Sequence, residues 1–104
     1  MTALLMDRSL ADFETNATAA ANLMKALGNG KRLMILCKLL EAGEMNVMAL
    51  CEAVGLSQSA LSQHLAKMRA EKLVDYRRES QTLFYRVADP NVKRIVKTLK
   101  AIFC

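Results

Sequence analysis

Apolar positions recur at helical spacing along most of the chain and switch to strict alternation in one stretch. From about Ser9 to Leu27, Phe13, Ala17, Ala20, Met24 and Leu27 fall on one face, which predicts an amphipathic helix. Gly28–Asn29–Gly30 ends it, since glycine suits a helix C-cap. Lys31 to Ala42 predicts a second helix with Leu33, Leu36, Cys37 and Leu40 as its apolar stripe, closed by Gly43. Asn46 is placed to cap a short third helix, Val47 to Val54. Gly55 then supplies a turn, because it takes positive φ without steric cost. Leu56 is an apolar anchor in that turn. Ser57 is the candidate cap of a fourth helix reaching about Ala70, with Ala60, Leu61, Leu65 and Met68 facing inward.

The alternation begins next. Leu73, Asp75, Arg77 and Glu79 interleave with Val74, Tyr76 and Arg78, and a second β-rich run covers Thr82 to Val87. Two such runs joined by a polar tip predict a hairpin. The tip lacks the Asn-Gly signal of a tight turn, so a longer loop is expected there. Asp89–Pro90 opens a last helix with Asp as cap and Pro in the first turn. Val92, Ile95, Val96, Leu99, Ile102 and Phe103 form its stripe. Four helices, a β-hairpin and a final helix make a mainly α chain with the order of a winged helix-turn-helix. The 104 residues are 53% hydrophobic, enough for a core, and no Pro- or Ser-rich linker divides them, so residues 1–104 are expected to form one domain. No apolar run is long enough for a transmembrane helix. Met1 to Leu10 is broken by Asp7 and Arg8 and lacks the order of a signal peptide. A cytoplasmic location without a membrane partner is the expectation.

The fourth helix carries the most telling chemistry. Its outer face holds Gln58, Ser59, Ser62, Gln63, His64, Lys67 and Arg69. Short hydroxyls and amides are the groups that hydrogen-bond base edges in a major groove. The same face would also suit an ordinary solvated helix. Two features favour DNA. The net charge is +5, which favours a polyanion. The hairpin directly after the helix gathers Tyr76, Arg77, Arg78, Gln81 and Arg86, a wing able to meet phosphates. Gln58, Ser59, Ser62, Gln63 and His64 are thus the base-contact candidates. Lys31, Arg77 and Arg78 are the phosphate candidates, and Gln81 is the candidate for the groove edge. The expected partner is double-stranded DNA with a palindromic operator. Paired carboxylates, a nucleophile elbow and a phosphate-cradling glycine loop are all missing, so neither an enzyme, a catalytic residue nor a cofactor is expected.

Three cysteines occur: Cys37, Cys51 and Cys104. The odd count argues against a secreted disulfide framework. In a reducing cytosol such residues are buried hydrophobes or reactive thiols. Taken alone, Cys37 is an ordinary member of its apolar stripe.

Three segments together resemble the ArsR family of bacterial winged-helix repressors. They are Ala26–Leu27–Gly28–Asn29–Gly30–Lys31–Arg32–Leu33, the run Leu56–Ser57–Gln58–Ser59–Ala60–Leu61–Ser62–Gln63–His64–Leu65, and Leu73–Val74 with the wing. The resemblance implies a homodimer joined through the first and last helices, about residues 9–27 and 90–103. It also implies repression relieved by an inducer. Metal-sensing members carry a Cys-x-Cys pair at the third helix, where this chain has Cys51 alone, or Asp and His pairs on the last helix, which here has no His. No metal site is therefore expected. Cys37 and Cys104 instead look like the pair of the dithiol, persulfide-sensing subgroup of BigR, SqrR and HlyU type, with reactive sulfur species as inducer. Lys100 stands one turn before Cys104, and Glu41 one turn after Cys37. The alternatives are a regulator responding to general thiol oxidation or to haem, or a metal-sensing repressor. Haem iron accepts Cys and His ligands, but the lone His64 lies on the reading helix.

Overall fold

The computed structural model describes residues 2–104, with side chains from Leu10 onward. The elements are α1 (Thr2–Leu27), α2 (Gly30–Ala42), β1 (Met45–Asn46), α3 (Val47–Val54), α4 (Gln58–Ala70), β2 (Val74–Glu79), β3 (Thr82–Val87) and α5 (Pro90–Phe103). None of the described helices is long and apolar enough to cross a membrane.

The caps act where the sequence places them. Asn46 Oδ1 accepts from Ala49 N at 2.8 Å and Ser57 Oγ from Ala60 N at 3.2 Å. Asp89 Oδ1 accepts from Asn91 N at 2.8 Å, with Pro90 opening α5. Each satisfies a backbone donor that the first helical turn leaves free. Asn29 does the same for α2 through Arg32 N. Gly55 has φ of 68°, a left-handed residue that turns the chain from α3 to α4.

The sheet has the order β1-β3-β2 and is antiparallel throughout. Strand β1 has no counterpart in the sequence reading, because two residues cannot display an alternation. It pairs Met45 with Tyr85 and Asn46 with Phe84, and so fastens the α2–α3 connection to the wing. The hairpin tip corrects the expected longer loop. Glu79 pairs with Thr82, leaving Ser80 and Gln81 alone in the turn. Ser80 takes φ of 57°, the positive value a tight hairpin requires, in place of the usual glycine.

The core gathers Ile35, Leu36 and Leu39 of α2, Leu50 of α3, Leu61, Leu65 and Met68 of α4, Val74 of β2, and Val92 and Val96 of α5. Helix α2 touches α1, α3, β3 and α5, so it is buried around more of its circumference than one stripe. That explains why Ile35 and Leu39 lie deeper than Leu33, Cys37 and Leu40, which are half-buried. Truncating a fully buried leucine such as Leu61 to Ala costs about 2–5 kcal/mol.

The apolar face of α1 is only partly covered. Ala26 and Leu27 are buried, but Leu10, Phe13 and Met24 are 58%, 62% and 75% exposed. Ile102 and Phe103 at the end of α5 are exposed as well. Among the described residues these faces stay uncovered, while Leu23, Ala26 and Leu27 at the C-terminal end of α1 join the core. That end is held by Arg32, which is buried and donates to Ala26 O at 3.2 Å and to Glu71 Oε2 at 3.4 Å.

Candidate nucleic-acid interface and cysteine positions

The reading helix is set by its inner face. Leu61, Leu65 and Met68 are buried, and Leu56 packs against the same core. A helix anchored along one side must present the other, and Gln58, Ser59, Ser62 and Gln63 are all exposed. Ser59 Oγ lies 3.4 Å from the capping Ser57 Oγ, while the side chains of Gln58, Ser62 and Gln63 have no hydrogen-bond partner among the described residues. These groups are free to bond an outside partner. His64 is half-buried and sits less openly than its neighbours.

Lys31 is exposed, yet its Nζ donates to Val54 O at 3.2 Å, tying the start of α2 to the end of α3. An ammonium carries three donors, so this bond leaves it capacity for an anion.

The wing departs most from the expectation of cations turned toward phosphate. Arg77 Nε lies 3.1 and 3.0 Å from the two carboxylate oxygens of Glu44, and Nη2 lies 2.6 Å from Oε1. Arg77 Nη1 donates to Glu79 Oε2 at 2.8 Å. The guanidinium also covers the Phe84 ring at 4.5 Å. Arg86 Nε donates to Asp75 Oδ1 at 2.7 Å. Hydrogen bonding from Arg77 holds the Glu44 carboxyl below its ordinary range, and Glu44 in turn raises the Arg77 pKa. The three wing arginines therefore stand among three carboxylates, and only Arg78 has no ionic partner among the described residues. Gln81 is exposed at the tip. The sequence offered no signal for Glu44, which lies in the turn after α2 and meets the wing only because β1 joins β3. Arg69, outside the wing, lies over the Tyr76 ring at 4.2 Å.

All three cysteines are free thiols. Cys37 is half-buried against the core, whereas Cys104 is exposed at the end of α5. Cys51 is half-buried in a cleft shared with Asn46, Met48, Glu52 and Gln58. The end of α2 (Leu39, Leu40, Gly43) and the start of α5 (Pro90, Lys93) line one cavity. Further along α5, Lys100 Nζ donates to Glu41 Oε1 at 3.3 Å. The charge of Lys100 is thus shared with Glu41, which also lies 3.9 Å from Lys38 Nζ. Among the described residues no three His, Cys, Asp or Glu side chains are grouped closely enough to hold a metal ion.

Comparison with known proteins agrees with this architecture. The model of the bacterial regulatory protein arsR family matches residues 29–76, from the α2 cap through the reading helix into β2. The transcriptional activator HlyU of Vibrio cholerae is 44% identical over 96 residues, covering 92% of this chain and 88% of that protein. The crystal structure of the transcriptional repressor BigR from Xylella fastidiosa superposes with a TM-score of 0.84 at 38% identity, covering 90% of this chain and 95% of that one. The homodimeric winged helix-turn-helix DNA-binding domain of Mb0332 from Mycobacterium bovis superposes with a TM-score of 0.74 at 32% identity, covering 86% of this chain and 82% of that one. The exposed amide and hydroxyl row, the wing beside it and these likenesses together identify the chain as a winged helix-turn-helix member of the bacterial ArsR family of regulatory proteins.

Proposed function

We propose that the chain acts as a cytoplasmic, homodimeric repressor that binds a two-fold symmetric operator and leaves it when Cys37 and Cys104 become joined. The observation that carries the DNA reading is the exposed row Gln58, Ser62 and Gln63, without hydrogen-bond partners among the described residues and with Ser59 beside it, on a helix capped and anchored by its opposite face. In a dimer, two such helices enter successive major grooves about one helical turn apart. Gln58 and Gln63 offer amide pairs suited to adenine edges, while Ser59, Ser62 and the less open His64 supply further contacts. Lys31 and Arg78 bind phosphate and set the register, and Gln81 reaches the groove edge. Arg77 is reserved, because its guanidinium already holds two carboxylates. The exposed Leu10, Phe13 and Met24 of α1 and Ile102 and Phe103 of α5 supply the dimer contact, which hides an apolar surface a lone chain leaves wet.

The sensing step needs two thiols within reach. The Glu41–Lys100 contact supports this, because Cys37 precedes Glu41 by one turn and Cys104 follows Lys100 by one turn, on two helices that touch. A persulfide donor RSSH transfers its outer sulfur to one cysteine, giving Cys–S–SH and RSH. The second thiol attacks the inner sulfur of that persulfide, forming a disulfide and releasing hydrogen sulfide. If both cysteines are persulfidated, one displaces hydrogen sulfide from the other and leaves a trisulfide. A plain disulfide requires Cα atoms within about 7 Å, and each added sulfur lengthens the reach. The bridge fixes α5 against α2, the helix beneath α3 and α4, and so shifts the spacing of the two reading helices. A coupling of about 3 kcal/mol between bridge and DNA is sufficient for release.

Binding of the reduced chain to the DNA upstream of its own gene, by gel shift, tests the first half of this reading. Sensitivity of the shifted band to a sulfane sulfur donor, with recovery on reduction, tests the second.

A further inference from the structure

The wing holds a feature that plain DNA binding does not call for. A phosphate-contacting arginine is expected to be free, yet Arg77 is engaged by Glu44 through both carboxylate oxygens and by Glu79 through a third hydrogen-bonding nitrogen. Phe84 lies against the face of the same guanidinium, so the side chain is held in place by stacking as well as charge. Both carboxylates come from the wing's own neighbourhood, Glu79 from the end of β2 and Glu44 from the turn leading into β1. The site is partly open to solvent, with 43% of the Arg77 side chain and 36% of the Glu44 side chain exposed. An incoming phosphate can therefore reach the two N–H donors that these contacts leave, but it meets two carboxylates of its own charge beside them and gains the full fork only by displacing one.

We propose that Glu44 and Glu79 form a carboxylate clasp that withholds Arg77 from non-specific DNA, which makes Glu44 a specificity-determining residue of the wing. This rests on the DNA-binding reading and adds to it. Loosely held DNA offers diffuse charge and does not compete with a bidentate carboxylate at hydrogen-bond distance. A duplex seated by the reading helix presents a phosphate at fixed geometry and does compete. Arg77 then adds affinity at well-fitted sites and little elsewhere, raising the ratio of specific to non-specific binding on which a regulator depends. The pairs are at the surface, where each is worth at most about 1 kcal/mol, enough to disfavour a loosely placed phosphate and little enough for a well-placed one to exchange.

The test is a mutant cycle on binding to a short random-sequence duplex, followed by fluorescence anisotropy across a salt series. The four proteins are the wild type, E44Q/E79Q, R77Q and E44Q/E79Q/R77Q, each checked for folding by circular dichroism. Freed Arg77 should tighten binding of E44Q/E79Q about 3- to 10-fold and steepen the dependence of log K on log salt by about one phosphate contact. In the R77Q background the same two substitutions should give a smaller gain and no steepening. Equal gains and slopes in both backgrounds would mean a general charge effect and overturn the clasp, as would no gain with Arg77 present. A wild type that binds no duplex at any salt would instead sink the DNA reading itself.

Discussion

Lys100 Nζ on α5 lies 3.3 Å from Glu41 Oε1 on α2. This contact ties the helix proposed to join two protomers to the helix that supports the reading unit. Both side chains are about half exposed, at 47% and 53%, so the pair guides the approach of the helices more than it holds them. The substitution Glu41→Gln is expected to lower stability by less than about 1 kcal/mol in urea denaturation. A larger loss would mean that the ion pair, and not the packing of Val92 and Val96, secures α5.

The three thiols should respond differently to substitution. Cys37→Ser and Cys104→Ser should each leave DNA affinity within about twofold of the wild type and abolish its response to a sulfane sulfur donor, since single-atom changes away from the reading face rarely alter binding. Cys51→Ser should stay inducible. Anisotropy with and without donor separates these outcomes. A single Cys37 or Cys104 variant that still lets go of DNA on treatment would contradict the two-thiol switch.

Two neighbouring residues on the reading unit should separate folding from recognition. Ser57→Ala removes the cap bond to Ala60 N and should cost about 1 kcal/mol of stability. Gln63→Ala removes an exposed amide that makes no hydrogen bond among the described residues, so the melting temperature should hold while affinity for the operator falls by about 1–3 kcal/mol. Thermal unfolding and operator titration on the same two proteins check both statements.

The Glu44 carboxyl should titrate below its ordinary value of 4.5, because hydrogen bonding from Arg77 favours the ionised form. A depressed value means that the contribution of the pair to stability is complete above pH 4.5 and is lost as the pH falls through the folded-state value. The wing contact thus persists at neutral pH. Carbon-detected NMR of the Glu44 side chain should show the lowered midpoint in the wild type and its return toward the ordinary value in R77Q.

Much of the architecture was legible because it rests on local signals. Asn46, Ser57 and Asp89 announce helix starts by their own side-chain chemistry, and Gly55 announces the turn by the φ it permits. What was not legible depends on contacts distant in sequence. Strand β1 exists only because Met45 and Asn46 meet Tyr85 and Phe84, and a two-residue strand has no period. The tight tip appears because the register pairs Glu79 with Thr82 and forces Ser80 into a conformation usually left to glycine. The polar row of α4 was legible from helical spacing, whereas the pairing of Arg77 with Glu44 spans 33 positions and leaves no trace in either segment. Arg32 shows the same limit. A cation on a surface-like pattern proves buried, because Ala26 O and Glu71 satisfy it.

The most direct test joins chemistry and affinity in one sample. Reduced wild-type protein is treated with a sulfane sulfur donor and divided between operator titration and peptide mass spectrometry. The account predicts a Cys37–Cys104 peptide pair linked by two or more sulfurs, and about a 100-fold loss of operator affinity that reduction restores. Undiminished binding by a sample in which that linkage is complete, or release of DNA with both thiols unlinked, would contradict it.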